Sequence, residues 1–354
     1  MRALVYHGTG QKSWDEVPDP QLQDDSDAIV GVDAATICGT DLHILRGDVP
    51  EVTAGRVLGH EAIGTVEAVG RAVRSVQPGD RVLVSCITGC GRCRFCREGR
   101  YGQCLGGGGW VLGHLIDGVQ AEYVRVPYAD MSLYRLPASL PAEAAVLLAD
   151  ILPTSFEVGV LAGNVQPGDT VVIVGAGPIG LAAVMTARLF SPSHVMVVDP
   201  VQSRLDAAQG AGADVLINNG PGGSDPAELV TDLTGGLGAD VVMEAVGLPE
   251  TFELCTRLVR PGGHVANIGV HGGPATLHLE SLWIKDITIT TGLVDTSTTP
   301  RLLGLVANHQ LDPSPLVTHT FDLSQTEEAY DVFSRAGETG ALKVVLTKDG
   351  SHSA

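Results

Sequence analysis

From Thr154 onward the chain alternates short Val/Ile-rich runs, at residues 171–174, 195–198, 215–217, 241–243 and 265–268, with helical stretches. Runs this apolar suit strands buried on both faces and the stretches between them suit crossover helices, so the pattern predicts a doubly wound, parallel α/β sheet. The chain before it has another texture, with short β segments at 28–32, 64–69 and 81–84 punctuated by turns. Length points the same way, since 354 residues suffice for two domains. The expected division is a β-rich domain over 1–152, a nucleotide-binding domain over 153–288, and a return segment over 289–354 that completes the first domain, with 342–346 as its strand. Residues 220–225 read as an exposed loop and residues 348–354 as a frayed tail. Val76-Gln77-Pro78-Gly79-Asp80 recurs as Val165-Gln166-Pro167-Gly168-Asp169, each before a Val-rich run. This is shared turn chemistry and not a repeat: proline presets the first central position of a turn and glycine accepts positive φ at the second.

A net charge of −19 disfavours a nucleic-acid partner, which would need a basic face. The start Met1-Arg2-Ala3-Leu4-Val5-Tyr6 has no apolar core followed by a small-residue cleavage site, so the expectation is a cytoplasmic protein with reduced thiols. No membrane span is expected either: the longest uncharged apolar stretch, 171–187, is broken by Gly175, Gly177, Pro178 and Gly180 and falls short of the roughly 20 residues a span needs.

Gly175-Ala176-Gly177-Pro178-Ile179-Gly180 follows the first Val run and opens an apolar helix, the context that makes this motif a dinucleotide fingerprint. The first glycine makes the turn, the second lets backbone approach a pyrophosphate, and the third permits close helix packing. Asp199 ends the next strand at about the twenty-residue distance expected of the acid that binds the ribose 2′-hydroxyl. A carboxylate there repels a 2′-phosphate, which favours NAD over NADP; Asp199 also suits the start of the next helix, and both roles can coexist. Arg204 lies over the adenosine or is a solvated helix charge. Val246 and Gly269, after the fourth and fifth Val runs, complete this part of the cofactor set. A flavin in place of NAD ranks below it, because flavin fingerprints sit near a chain's start.

Cys90, Cys93, Cys96 and Cys104 have the spacing of a structural zinc site with four thiolates. A disulfide pair or a Cys-x-x-Cys redox motif competes with that reading. Such a closed site does no chemistry, so the catalyst must lie elsewhere. Cys38, His60 in Gly59-His60-Glu61, and Asp150 suggest a second metal site, although each alone has a dull explanation as core thiol, satisfied histidine or helix cap. Cys86 and Cys255 have no assigned role.

Taken together, these motifs resemble the zinc-containing medium-chain alcohol dehydrogenases, end to end, and most closely the bacterial NAD(P)-dependent secondary alcohol dehydrogenases, through Gly109-Trp110, Asp117-Gly118 and Ala129-Asp130-Met131. The resemblance implies a GroES-like β-rich catalytic domain, a Rossmann domain, a cleft site between them, and two Zn2+ per chain, one of them catalytic on Cys38, His60 and Asp150. It implies that Glu61 is a carboxylate able to approach the metal, that Asp41 fixes the tautomer of His60, that Thr40 takes the proton from the alcohol, and that His43 delivers it to water. It places Lys343 on the cofactor phosphates and Trp110, Ser85, Ile87, Leu293 and Val294 around the substrate. Gly39 stands where some members carry arginine, so one phosphate contact is missing. The chain differs from several of the bacterial members in keeping all four structural cysteines and from NADP-dependent ones in carrying Asp199. The expected activity is NAD-dependent oxidation of a secondary alcohol, or reduction of its ketone, by a homo-oligomer, tetramer before dimer. A polyol, threonine or formaldehyde dehydrogenase is the alternative within the family; a non-catalytic zinc-ribbon and Rossmann binding protein is the alternative outside it.

Overall fold

The computed structural model describes residues 1–348, so of the expected frayed tail all but Lys348 lies outside the described residues. The chain divides into two units. Met1–Pro153 joins the stretch from Asp295 onward, and Thr154–Val294 forms the other.

In the first unit, a seven-stranded sheet runs in the order Val317–Asp322, Lys343–Thr347, Ala28–Thr36, Ala62–Val69, Arg81–Val84 and Leu133–Arg135, with Tyr123–Val126 also pairing Ala28–Thr36. A smaller sheet joins Gln11–Glu16, Arg2–Gly8 and Arg56–Val57. Alternation along Ala28–Thr36 turns Val30 and Val32 into a core with Val82, Val84, Val119 and Val124. The return strand Lys343–Thr347 pairs antiparallel with Ala28–Thr36, Val345 opposite Thr36. This register brings the chain's C-terminal part to the end of the strand that leads into Cys38.

The second unit is a six-stranded, all-parallel sheet in the order Val215–Asn218, His194–Asp199, Thr170–Val174, Ala239–Glu244, Val259–Asn267, Thr288–Thr291. The order reverses between Thr170–Val174 and Ala239–Glu244, the switch point where such sheets bind ligands. The last strand reads Thr-Ile-Thr-Thr, without the apolar run that marks the others. By its contacts the unit runs from Thr154 to Val294. No helix among the described residues is long and apolar enough to cross a membrane.

The two Pro-Gly-Asp turns are alike in detail. Gly79 and Gly168 have φ of 89° and 88°, and Asp80 and Asp169 each accept from the backbone N–H three residues earlier, at 2.9 and 2.8 Å.

Glycines also set how closely segments meet around His60. A methyl group on Gly118 would lie 2.1 Å from the Gly59 carbonyl oxygen and 2.5 Å from that of Leu58, and both are main chain. Gly118→Ala is therefore expected to lower stability by about 1–3 kcal/mol in urea unfolding. Gly304, inside the helix Thr299–Ala307, has nothing within 4 Å of the added carbon, and Gly304→Ala should raise stability by roughly 0.5–1 kcal/mol.

Candidate active site

Three segments of the first unit deliver one cluster. Cys38 precedes the helix Gly39–Arg46, in whose first turn Asp41 accepts the Cys38 backbone N–H at 2.9 Å. His60 follows Gly59, whose φ of 91° turns the chain sharply. Asp150 stands immediately before the short helix Ile151–Thr154. Asp150 Oδ2 lies 3.4 Å from His60 Nε2 and 3.8 Å from Cys38 Sγ. Ligand atoms of Cys38, His60, Glu61 and Asp150 all fall within 4.8 Å of one another. The expected trio thus converges.

The electrostatics of this cluster call for a cation. Burial pushes the Cys38 thiol up and does the same to Asp41 and Glu61. Burial opposes charge on His60, but the Asp150 carboxylate and the Cys38 sulfur outweigh it and hold the imidazole well above its usual range. One buried acceptor points the same way: Glu61 Oε1 has no hydrogen-bond partner and lies 3.9 Å from His60 Nε2. His60 Nδ1 and Asp41 Oδ1 face each other at 3.8 Å, so the ring presents Nε2 to the cluster and Nδ1 to a carboxylate. A thiolate, a carboxylate and an imidazole with an acidic neighbour behind it form a donor set that suits zinc.

Lys343, which the resemblance places on the cofactor phosphates, has a buried ammonium ion-paired with Glu61 Oε2, with Thr36 Oγ1 at 3.1 Å and the Ile37 carbonyl at 3.3 Å. The cause is the register of Lys343–Thr347 on Ala28–Thr36, which lays Lys343 beside the strand end. Glu61 Oε2 also accepts from the Thr36 hydroxyl. Burial works against the Lys343 charge, but Glu61 prevails and holds it above its ordinary value.

Of the expected proton carriers, the Thr40 hydroxyl lies 3.6 Å from Cys38 Sγ. His43, on the same helix, is half-buried with Nδ1 2.8 Å from Asp48 Oδ2. Trp110 stands beside the cluster: its ring meets His60 edge-on at 6.2 Å and stacks on His114 at 4.1 Å. Ser85 and Ile87 are buried on either side of Cys86, the Ser85 hydroxyl bonding Thr296 at 2.9 Å. Leu293 and Val294 belong to the second unit, Leu293 exposed and Val294 buried. Cys86 hydrogen-bonds through its N–H to the Ala149 carbonyl, and burial with Asp150 nearby drives its thiol well up, so it stays protonated. Cys255 is a core residue of the second unit.

The four-cysteine loop closes as its spacing predicts. The four sulfurs lie within 4.8 Å of one another, Cys90 and Cys96 at 4.0 Å, against about 3.8 Å between ligands of a tetrahedral ion with Zn–S near 2.3 Å. Backbone N–H groups of Cys96 and Leu105 each reach Cys93 Sγ at 3.4 Å and lower its thiol to about 6. Burial pushes Cys96 up to about 12. Cys90 and Gly106 donate to Cys104 Sγ at 3.3 Å. All seven cysteines are free of disulfides.

In the second unit the glycine roles separate cleanly. Gly175 has φ 103°; a methyl on Gly180 would stand 1.9 Å from the Gly175 carbonyl oxygen; Gly177 has nothing within 4 Å on its open side. Helix Pro178–Arg188 starts at Gly177 with Pro178 first and no side-chain cap, which leaves the N–H groups of Ile179 and Gly180 without a capping side chain, as suits an anion. Asp199, 4 % exposed, accepts from Ala176 N–H and Val201 N–H, both at 2.8 Å, so it ties the glycine turn to the next helix. Arg204, on the helix Gln202–Gly210, makes no side-chain hydrogen bond or ion pair among the described residues. Glu244 went unnoticed in the sequence. Fully buried at the end of its strand, its Oε1 accepts the N–H groups of Val246 and Gly247 and the Thr251 hydroxyl. Gly269 packs so tightly there that a methyl would lie 2.4 Å from Glu244 Oε2.

A β-rich unit with two metal-type donor clusters and a doubly wound unit with a dinucleotide cradle define a metal-dependent, nucleotide-linked oxidoreductase. Residues 24–138 match the alcohol dehydrogenase GroES-like domain and residues 178–308 the zinc-binding dehydrogenase domain. The chain is 36% identical to zinc-type alcohol dehydrogenase B of Aspergillus flavus over 94% of its own length and 79% of that protein's. It is 35% identical to an NADP-dependent isopropanol dehydrogenase of Thermoanaerobacter brockii, covering 91% and 92%. Among solved structures, the apo form of zinc dependent alcohol dehydrogenase 2 from Streptococcus pneumonia matches with a TM-score of 0.94 and 47% identity over the whole of both chains. The chain belongs to the zinc-type medium-chain alcohol dehydrogenases, oxidoreductases that act on alcohols with zinc and a nicotinamide cofactor.

Gly180→Ala, whose methyl meets the Gly175 carbonyl oxygen, is expected to push helix Pro178–Arg188 off its strand. Dinucleotide affinity should fall about tenfold or more in a fluorescence titration, with metal content unchanged because every metal donor lies in the other unit.

Proposed function

We propose that this enzyme is an NAD-dependent secondary alcohol dehydrogenase and ketone reductase that holds two zinc ions per chain, one at each donor cluster. The observation that carries the reading is the convergence of Cys38, His60 and Asp150 within ligand distance of one another, beside Thr40 and Trp110. When bound, zinc would supply the acidity that brings a hydroxyl such as water's down toward about 7, and the nicotinamide ring would be the hydride acceptor. Cys38, His60 and Asp150 hold the metal and leave a coordination position for substrate. Asp41 keeps the proton of His60 on Nδ1. Thr40 takes the hydroxyl proton and His43, partly exposed beside Asp48, releases it to water. Glu61 stays near the metal under the hold of Lys343. Cys90, Cys93, Cys96 and Cys104 hold the second zinc and stiffen the loop that ends at Trp110.

The choice of a secondary alcohol is supported by the apolar character of Trp110 and Ile87 and by the isopropanol-oxidising relative. The choice of NAD is supported by the Asp199 carboxylate. A cytoplasmic setting accords with seven free thiols. Homo-oligomerisation, as tetramer or dimer, would cover Leu277, Leu279, Trp283 and Ile284, which are exposed in the sequence just before Thr288–Thr291, the open edge of the parallel sheet.

Metal analysis of the purified chain should find two zinc ions, and NAD with 2-propanol or 2-butanol should give NADH. His60→Ala and Asp150→Ala should each remove one zinc and the turnover; a chain with a single zinc and no turnover on any alcohol would overturn the reading. Asp199→Ala should raise the NADP-to-NAD ratio of kcat/KM at least about tenfold, equivalent to about 1.4 kcal/mol of lost repulsion.

A further inference from the structure

The His60 ligand is backed by a buried chain of polar side chains longer than the Asp41 contact alone. Asp41 Oδ2 accepts from the Cys38 backbone N–H at 2.9 Å and from Gln120 Nε2 at 3.2 Å. Gln120 Nε2 also donates to the Thr36 carbonyl at 3.1 Å, and Gln120 Oε1 accepts from the Tyr330 hydroxyl at 2.8 Å. Gln120 and Asp41 are fully buried, and Tyr330 is 2 % exposed. The amide orientation has no freedom. Two acceptor-only groups, a carbonyl and a carboxylate, face one end of Gln120, so that end must be the NH2 and the other must accept the phenol proton. With both amide hydrogens committed, Gln120 and the Cys38 N–H together occupy Asp41 Oδ2 and leave Oδ1 for His60 Nδ1, 3.8 Å away.

The surroundings hold this chain in place. Gln120 fits a slot that exists because Gly59 lacks a side chain: a methyl there would lie 2.5 Å from Gln120 Cγ. Its backbone is tied on both sides, by its N–H to Leu58 and by its carbonyl to the Leu4 N–H. Tyr330 sits on the helix Thr326–Ser334, packs among Leu4, Ile37, Leu58 and Phe333, and has the Lys12 ammonium 5.2 Å above its ring. Residues 210 positions apart in sequence therefore meet behind the metal ligand.

We propose that Gln120 and Tyr330 are positioning residues for the zinc ligand His60. Tyr330 orients Gln120, Gln120 orients Asp41, and Asp41 Oδ1 fixes the imidazole with Nε2 toward the metal. Through this series the helix Thr326–Ser334 of the return segment sets how firmly the catalytic metal is held. The inference rests on the zinc reading of Cys38, His60 and Asp150.

The test is zinc release from the holoenzyme to a chromogenic chelator, with the zinc at the four-cysteine loop as internal reference. Gln120→Leu should speed release of the Cys38–His60–Asp150 zinc by about 10–100-fold, the usual effect of removing a partner behind a metal ligand. Tyr330→Phe, which deletes only the hydroxyl, should speed it a few-fold and shift the visible spectrum of the cobalt-substituted enzyme with little change in Tm. In the double variant Tyr330→Phe should add nothing, because its influence passes through Gln120. Unchanged release in both single variants, or an additive double variant, would overturn the inference while leaving the zinc site standing. A wild-type chain that holds zinc only at the four-cysteine loop would overturn the site reading and this inference together. Tyr330→Phe keeps the test decisive should Gln120→Leu fold poorly.

Discussion

Everything around the candidate active site follows from burying acids. Asp41 and Glu61 are fully buried, Asp150 nearly so, and the Cys38 sulfur adds a fourth potential negative charge within the same few ångströms. An uncompensated carboxylate in such surroundings costs several kcal/mol. The fold meets this with one imidazole and one ammonium from its own chain, His60 and Lys343, and leaves the balance to a divalent ion. The unpartnered Glu61 Oε1 is what remains there when the protein's own donors have been used.

Holding such a cluster requires close main-chain approach, and glycine supplies it. Gly59 turns with positive φ, admits Gln120 behind it, and lies against Gly113 and Gly118, each of whose missing side chains would strike its backbone. His60 is thereby seated on a segment fixed from three directions. The same device appears at Gly175 and Gly180 in the second unit, where backbone contact between strand and helix positions the uncapped N–H groups at the helix start. In both units the residue that acts is placed by neighbours that have no side chain.

Features carried by local spacing were legible in the sequence: the four cysteines, the glycine motif with Asp199, and the five apolar strands. Thr288–Thr291 was not, because an edge strand with one side unpaired has no need of a continuous apolar run. Cys38, His60 and Asp150 are scattered through the sequence and were found by resemblance; their spacing alone left each with an ordinary explanation. The ion pair of Lys343 with Glu61 was not legible either, because sequence position says nothing of register, and it is the pairing of Val345 with Thr36 that directs the ammonium to Glu61. Gln120 and Tyr330 leave no local signal at all. A glutamine in a loop and a tyrosine on an amphipathic helix become a pair only once the return segment has docked.

The position of Lys343 decides the charge balance at the cluster. With a thiolate on Cys38, a carboxylate on Asp150 and a neutral His60, a divalent ion brings the three ligands to neutrality, and Glu61 is then balanced only by Lys343. Drawing Lys343 away would leave Glu61 as an unpaired buried charge beside the metal, which is costly enough to keep the pair together. At the glycine motif of the second unit, the uncapped N-terminus of Pro178–Arg188 presents oriented N–H groups and a helix dipole, partial positive charge of the kind that suits a phosphate. A chain carrying a net charge of −19 thus draws positive potential from its backbone in one unit, and in the other holds a buried ammonium against Glu61.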